Sequence, residues 1–292
     1  MWIHIKGANW AILAFSLIFG LAGNITRGLR WELIINSLGY YPKRSNLIYA
    51  VLGNYAVNFA IPRAGEIWRC GVIYKKEKMP FQKLFGTLIA DRIADFILVI
   101  MLVLVAFACN VSVFFQHIGK FDVPDFLVSP YPYLAVLASL LLFIMAVIFL
   151  KNHFIAKKIR TFVREIWNDM LVVKQMKQRV RFTVYSFLIW IFYFLHFYIT
   201  LYAFDFTSHL GFAAGLFVFT LGIVSMGIPS NGGLGPWQAA TVFGLCIYMV
   251  PFEEAKAFAT AVFAIQSIWI VLYGLFGIFA LSFYNVNQGL KK

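Results

Sequence analysis

Apolar runs close to the length of a bilayer crossing recur along the chain, at 8–26, 84–109, 126–150, 183–204, 210–228 and 257–284. About 20 consecutive apolar residues in helix cross the hydrocarbon core, and in lipid only helices and closed barrels satisfy every backbone N–H and C=O. Two further runs, 46–62 and 237–250, are shorter. The chain is 62% hydrophobic and 13% charged, with mean hydropathy +0.80, against about 25% charged residues in soluble domains. The expectation is an all-α integral membrane protein. It is a polytopic helix bundle of about six full spans plus two short re-entrant or half-spanning segments, forming a single transmembrane domain over 1–292.

The formal net charge is +13, which in a soluble protein would raise nucleic acid as a partner. Here the basic residues fall between apolar runs, where they orient the chain and meet anionic headgroups, and no nucleic-acid-binding signature accompanies them. The 63–83 connection holds Arg63, Arg69, Lys75, Lys76, Lys78 and Lys83, and 151–181 holds a longer basic series from Lys151 to Arg181. By contrast 110–125 has only Lys120, 205–209 has none and 251–256 only Lys256. The excess of Lys and Arg on cytoplasmic loops puts 63–83, 151–181 and the Lys291–Lys292 tail in the cytoplasm, in a multi-pass protein of the cell (cytoplasmic or inner) membrane. The 151–181 stretch reads as a basic amphipathic helix, with Ile155, Ile159, Phe162, Ile166 and Met170 at helical spacing. Cys70, Cys109 and Cys246 lack the spacing of a metal knuckle or redox pair. The opening MWIHIKGANW lacks the cleavage pattern of a signal peptide.

One run does not alternate with the others. Arg27, Arg30, Lys43 and Arg44 precede 46–62 and the 63–83 basic cluster follows it, so both flanks belong on the same side. The segment NYAVNFAIPRAGEIWR is therefore expected to re-enter, with Gly53, Asn54, Asn58 and Pro62 supplying its break and hydrogen bonds. Irregular backbone at membrane depth survives only where protein or a wet cavity surrounds it. GIPSNGGLGPWQ, over 227–238, has the same design: an apolar helix closed by Pro229, a glycine-rich turn, and a helix start at Pro236. Paired interruptions in two halves point to a mid-depth site in transporters. They raise an inverted repeat, although the internal sequence similarity is weak.

Three groups of residues carry candidate chemistry. Asp91, Arg92 and Asp95 lie inside an apolar run, with Arg92 and Asp95 at i,i+3. Intramembrane charges face the interior and pair, which fits either a structural ion pair or a substrate or coupling-ion site. Arg63, Glu66 and Arg69 share one face of a short helix and fit either a solvated face or an anion site with bidentate guanidinium bonds. Asn231, Gly232, Gly233 and Gly235 lack the Lys-Ser/Thr of a phosphate loop. They suit a tight turn, or amides exposed before Pro236 that hold an anion. Asn54, Asn58 and Gln238 complete the candidate binding set. His196, among Tyr193, Tyr198 and Tyr202, is expected to be packed and hydrogen-bonded. No HExxH, nucleophile elbow or kinase signature appears, so no catalytic residue, metal or cofactor is expected.

On RGLRW (27–31), NYAVNFAIPRAGEIWR, DRIAD (91–95) and GGLGPWQ (232–238), the chain resembles the transmembrane region of lysylphosphatidylglycerol synthases, also called the flippase-like or UPF0104 family. The resemblance covers nearly the whole chain. It implies a helical bundle that moves phospholipids, anionic or aminoacylated, between leaflets; a homo-oligomer is compatible with it. Asp91 stands where relatives often have glutamate. Gln238 stands where they commonly have glutamate after the turn, which puts proton or cation coupling there in question. The acyltransferase-like domain that lysylates the lipid is not in this sequence, and relatives often carry a further N-terminal span. The expected function is a stand-alone phospholipid or lipid-linked-substrate translocator. The alternatives are a small-solute or ion transporter, or the membrane subunit of a phosphatidylglycerol lysyltransferase system.

Overall fold

The computed structural model of the chain describes residues 5–111, 176–228 and 230–283. Among these residues the elements are, in order, α1 (Trp10–Ser37), α2 (Arg44–Ala60), α3 (Ala64–Glu77), α4 (Phe81–Cys109), α5 (Arg179–Leu201), the single turn α6 (Asp205–Ser208), α7 (Phe212–Ser225), α8 (Pro236–Ile247) and α9 (Phe252–Phe283). The protein is an all-helical, polytopic membrane bundle. Its long helices α1, α4, α5 and α9 contain 28, 29, 23 and 32 residues. At about 1.5 Å per residue each exceeds a hydrocarbon core of roughly 30 Å.

The four shorter helices come as two hairpins. α2 and α3 contain 17 and 14 residues, α7 and α8 contain 14 and 12, so each limb covers only about 18–26 Å. α2 packs along α3 and α7 along α8. Glycine makes room at both crossings, Gly53 for the Trp68 ring and Gly222 for Trp237.

The hairpins enter from opposite ends of the bundle. At one end the Lys43 N–H donates to Glu77 Oε1 at 3.3 Å, and Asn46 Nδ2 donates to the same oxygen; the two feet of the first hairpin are thereby joined. The end of α1 meets the start of α4 there, Trp31 Nε1 donating to Thr87 Oγ1 at 2.9 Å, and Phe276 of α9 stacks edge-on against Tyr49. At the other end the Asn9 N–H donates to the Ala203 carbonyl at 2.7 Å. Asn110, closing α4, donates to Ala213 O at 3.0 Å and accepts from Tyr248 Oη, which joins the feet of the second hairpin. The order long helix, hairpin, long helix thus occurs twice, in opposite sense. It is the inverted arrangement that the paired prolines raised.

Three readings of the sequence are corrected. The run 8–26 does not end before Arg27: α1 continues to Ser37, and Arg27 and Arg30 are buried within it. They therefore do not flank the re-entrant segment; their charges are paired inside the bundle, so they give the helix no reason to stop. The run 210–228 is not a full span, because α7 ends at Ser225 and the chain then turns and returns as α8. Residues 46–62 do not dip and return within themselves. Residues 46–60 belong to the unbroken helix α2, Ile61 and Pro62 open the turn, and the return limb is α3, taken from the sequence as cytoplasmic connection. The expected span 126–150, the basic connection 151–181 up to residue 175, Pro229 and the tail beyond 283 lie outside the described residues, while the end of that connection, from Arg179, opens α5.

The end carrying Lys43, Arg44, Lys75, Lys76, Lys78, Lys83, Lys177, Arg179 and Arg181 is strongly basic, and α9 finishes there. Apolar cores sit toward both ends. One is built around Trp31, Leu47, Ile73 and Leu84, the other around Phe197, Phe204, Leu245 and Phe258. The middle is where polarity collects.

Candidate functional site

The first hairpin turns through Ile61, Pro62 and Arg63. Arg63 adopts a left-handed backbone, φ 65°, and the two asparagines of NYAVN fix the turn from α2. The Asn58 Oδ1 accepts from the Gly65 N–H at 2.7 Å, satisfying an amide that the start of α3 leaves open. Asn54 lies one turn earlier, where its carbonyl approaches Gly65 so closely that a Cβ there would overlap it. Sequence and geometry therefore agree on why Pro-Arg-x-Gly follows the asparagines: the proline ends α2, and only glycine lets α3 start against it.

The second hairpin turns through Met226 to Gly235. Gly232, Gly233 and Gly235 have φ of 62°, 92° and 89°, a region that side chains resist. Gln238 Oε1 accepts from the Gly235 N–H at 3.3 Å, so this side chain serves the helix start and needs no charge. The two tips touch. Arg63 Nη2 donates to the Gly227 carbonyl at 3.2 Å, and the Phe59 ring lies where a Cβ on Gly232 would be 2.6 Å from it.

A cavity of about 390 Å³ opens beside this contact. The first hairpin lines it with Tyr55, Asn58, Phe59, Arg63 and Glu66, and α4 contributes Arg92. The second hairpin contributes Met226, Gly232, Gly233 and Trp237. The rest of the wall includes Asn24 of α1, Trp190, Tyr193 and His196 of α5, and Gln266, Ser267, Trp269 and Tyr273 of α9. Four of these form a chain: Tyr55 and Tyr193 hydroxyls lie 3.1 Å apart, Tyr193 donates to Asn24 Oδ1 at 2.6 Å, and Asn24 Nδ2 donates to Tyr273. His196 Nδ1 lies 2.8 Å from the Ser16 carbonyl, the packed histidine that the sequence suggested, with its ring edge on the cavity.

Behind the Arg92 wall lies an ionic cluster. Arg30 donates to Asp91 Oδ1 from Nη2 at 2.6 Å and from Nε at 2.9 Å, and to Asp95 Oδ1 at 2.7 Å. Arg27 donates to Asp95 Oδ2, and Arg69 Nη2 reaches Asp91 Oδ2 at 3.5 Å. The Arg69 guanidinium also stacks 4.6 Å from the Trp31 ring centroid. Arg30, Arg69 and Asp91 have no solvent exposure, and Arg27 and Asp95 have 3% and 7%. Arg92 closes the cluster toward the cavity, donating to Glu66 Oε1 at 2.9 Å and lying 3.7 Å from Asp95. Four guanidiniums thus meet three carboxylates.

Of the residues singled out from sequence, Asn58, Arg63, Glu66, Arg92, Gly232 and Gly233 line the cavity. Asn54, Arg69, Asp91 and Asp95 are buried behind it, while Asn231, Gly235 and Gln238 shape the second turn without lining it. The i,i+3 pair Arg92–Asp95 exists, but Asp95 is held chiefly by Arg27 and Arg30. In the sequence those two arginines stand out only as a basic flank of the 46–62 run and within RGLRW, and nothing there marks Asn24, Tyr193 or Tyr273 as binding residues. Their partners lie 61–249 positions away in sequence, which no local pattern reveals. Among the described residues no group of three or more His, Cys, Asp or Glu could hold a metal ion.

Two inverted hairpins meeting at their tips beside an internal cavity, among four long apolar helices, define a polytopic helical membrane protein. The chain belongs to the family described as "Lysylphosphatidylglycerol synthase TM region", which matches residues 1–274. No curated protein and no solved structure matches it.

Proposed function

We propose that the protein carries a phospholipid, or a lipid-linked substrate, between leaflets, passing its headgroup through the cavity between the hairpin tips. The observation that supports this most is the tip-to-tip meeting itself. Neither hairpin crosses the membrane, so the barrier at mid-depth is a contact between two turns, with one long-range hydrogen bond, Arg63 to Gly227. Discontinuous helices of this kind place substrate sites at the midplane of transporters. Arg63 and Arg92 against Glu66 leave the lining with one positive charge, which suits an anionic headgroup. On this reading the basic end is cytoplasmic by the positive-inside rule, the membrane is the cell membrane, and the chain performs transport and no chemistry of its own.

The test is transport in vesicles. Purified protein reconstituted at low density should accelerate loss of outer-leaflet reporter phospholipid above protein-free vesicles, and Arg63→Ala should slow it at least about fivefold, the weight of one charge-assisted hydrogen bond. Equal rates with and without protein would remove the lipid reading; flux of a small solute in the same vesicles would favour a solute transporter.

A further inference from the structure

Residues lining the cavity carry polar atoms that the protein leaves unspent, and their chemistry is mixed. Trp190 Nε1 is a buried donor without a partner, and Glu66 Oε2 is a buried acceptor without one. His196, with Nδ1 bound to the Ser16 carbonyl, presents Nε2 as an acceptor in its neutral ring. A phosphate diester accepts but does not donate, and an ammonium donates but does not accept. A hydroxyl does with one kind of group what these two do only together: it gives to Glu66 and His196 and takes from Trp190.

The walls support the same chemistry. The Trp190, Trp237 and Trp269 rings offer apolar faces with a polar handle, a surface on which the C–H face of a sugar or cyclitol ring can lie. Aromatic faces also attract ammonium groups. The single carboxylate on the lining, however, is already held by Arg92 at 2.9 Å, and the lining as a whole is positive, which repels a cation. At about 390 Å³ the cavity far exceeds a bare phosphate and lies in the range of roughly 300–1,000 Å³ that holds ring-containing ligands.

We propose that the cavity takes the polyhydroxylated headgroup of an anionic phospholipid, a sugar or cyclitol joined through a phosphodiester. The phosphate sits at Arg63 and Arg92, and the ring lies on Trp190 between Glu66 and His196. This rests on the lipid-translocation reading and specifies its substrate. The carbonyl contact of Arg63 leaves its remaining N–H groups for the phosphate, while the tyrosine–asparagine chain holds the α1, α5 and α9 wall in place.

Binding of short-chain lipids tests it, measured by calorimetry on the full chain in phosphatidylcholine nanodiscs free of glycoside detergent. Dioctanoyl phosphatidylinositol should bind about tenfold more tightly than dioctanoyl phosphatidic acid, two or so neutral hydrogen bonds being at stake. It should also bind more tightly than dioctanoyl phosphatidylethanolamine. Trp190→Phe, which keeps a ring and removes the donor, should weaken phosphatidylinositol about fivefold and leave phosphatidic acid unchanged. The wild-type selectivity stands as a test even where the variant does not fold. Equal binding of phosphatidic acid and phosphatidylinositol would overturn the headgroup assignment and leave the lipid reading intact. Tighter binding of phosphatidylethanolamine or an aminoacylated lipid would replace it with an ammonium site. No saturable binding by any of these lipids would overturn both.

Discussion

Arg30, Arg69 and Asp91 have no exposure to solvent, and charges so placed persist only in company. Asp91 faces three guanidiniums, those of Arg27, Arg30 and Arg69, within 3.5 Å. Arg92 differs. Its side chain is 40% exposed, and it joins the cluster to the cavity rather than holding the cluster together. Asp91→Ala should therefore cost about 3–5 kcal/mol of stability, the usual result of stranding a buried charge, read as a large fall in the thermal midpoint in detergent. Arg92→Ala should change that midpoint little and slow lipid transport instead. Equal midpoints for the two variants would mean that Asp91 is not the anchor the geometry describes.

The hairpin is the element on which the site depends, and it makes a topological prediction. In a background without native cysteines, Ser45→Cys and Lys78→Cys should label from the same side of the membrane, because Glu77 ties the two feet of α2 and α3 together. Ser208→Cys and Glu253→Cys should label from the opposite side. Labelling of Ser45→Cys and Lys78→Cys from different sides would make the α2–α3 unit a crossing. The long helices were legible in the sequence because hydropathy reports the solvent a surface meets, and their surfaces meet lipid. The hairpins were half legible. Pro62 and the glycines of NGGLG announced the turns, but α3 carries Glu66, Arg69, Lys75 and Lys76 and so reads as a soluble connection. Arg69 is hidden because α4 supplies Asp91 and α1 the Trp31 ring. The end of α7 was misplaced for the opposite reason: the apolar run continues into the turn, and composition does not record a change of direction. Arg63, Glu66 and Arg92 stood out as charges in unlikely company. Tyr193, Asn24 and Tyr273 did not, because an aromatic in an apolar helix looks the same whether it faces lipid or a cavity.

At the scale of the molecule, each half is completed by the other. α1 packs chiefly on α5, and α2 on α9, where Gly274 meets the Ala56 methyl and Gly277 the Tyr49 carbonyl. Phe59 and Arg63 at the first tip have their partners at Gly232 and Gly227. This interlacing has a consequence for biosynthesis. A ribosome releases Arg63 well over a hundred residues before the carbonyl that receives it, so the first hairpin must wait in the membrane, incomplete, until the second half is made. Local contacts form early, whereas distant ones carry the cost of closing a long loop. The protein should accordingly behave as two complementary fragments. Divided between residues 112 and 175, the N-terminal piece alone should be degraded in cells, and co-expression with the C-terminal piece should rescue it as a co-purifying pair. An N-terminal piece that accumulated alone, resistant to protease, would show that its half needs no partner. With rescue, the interval between synthesis of the two tips becomes the stage at which a nascent chain is exposed to quality control.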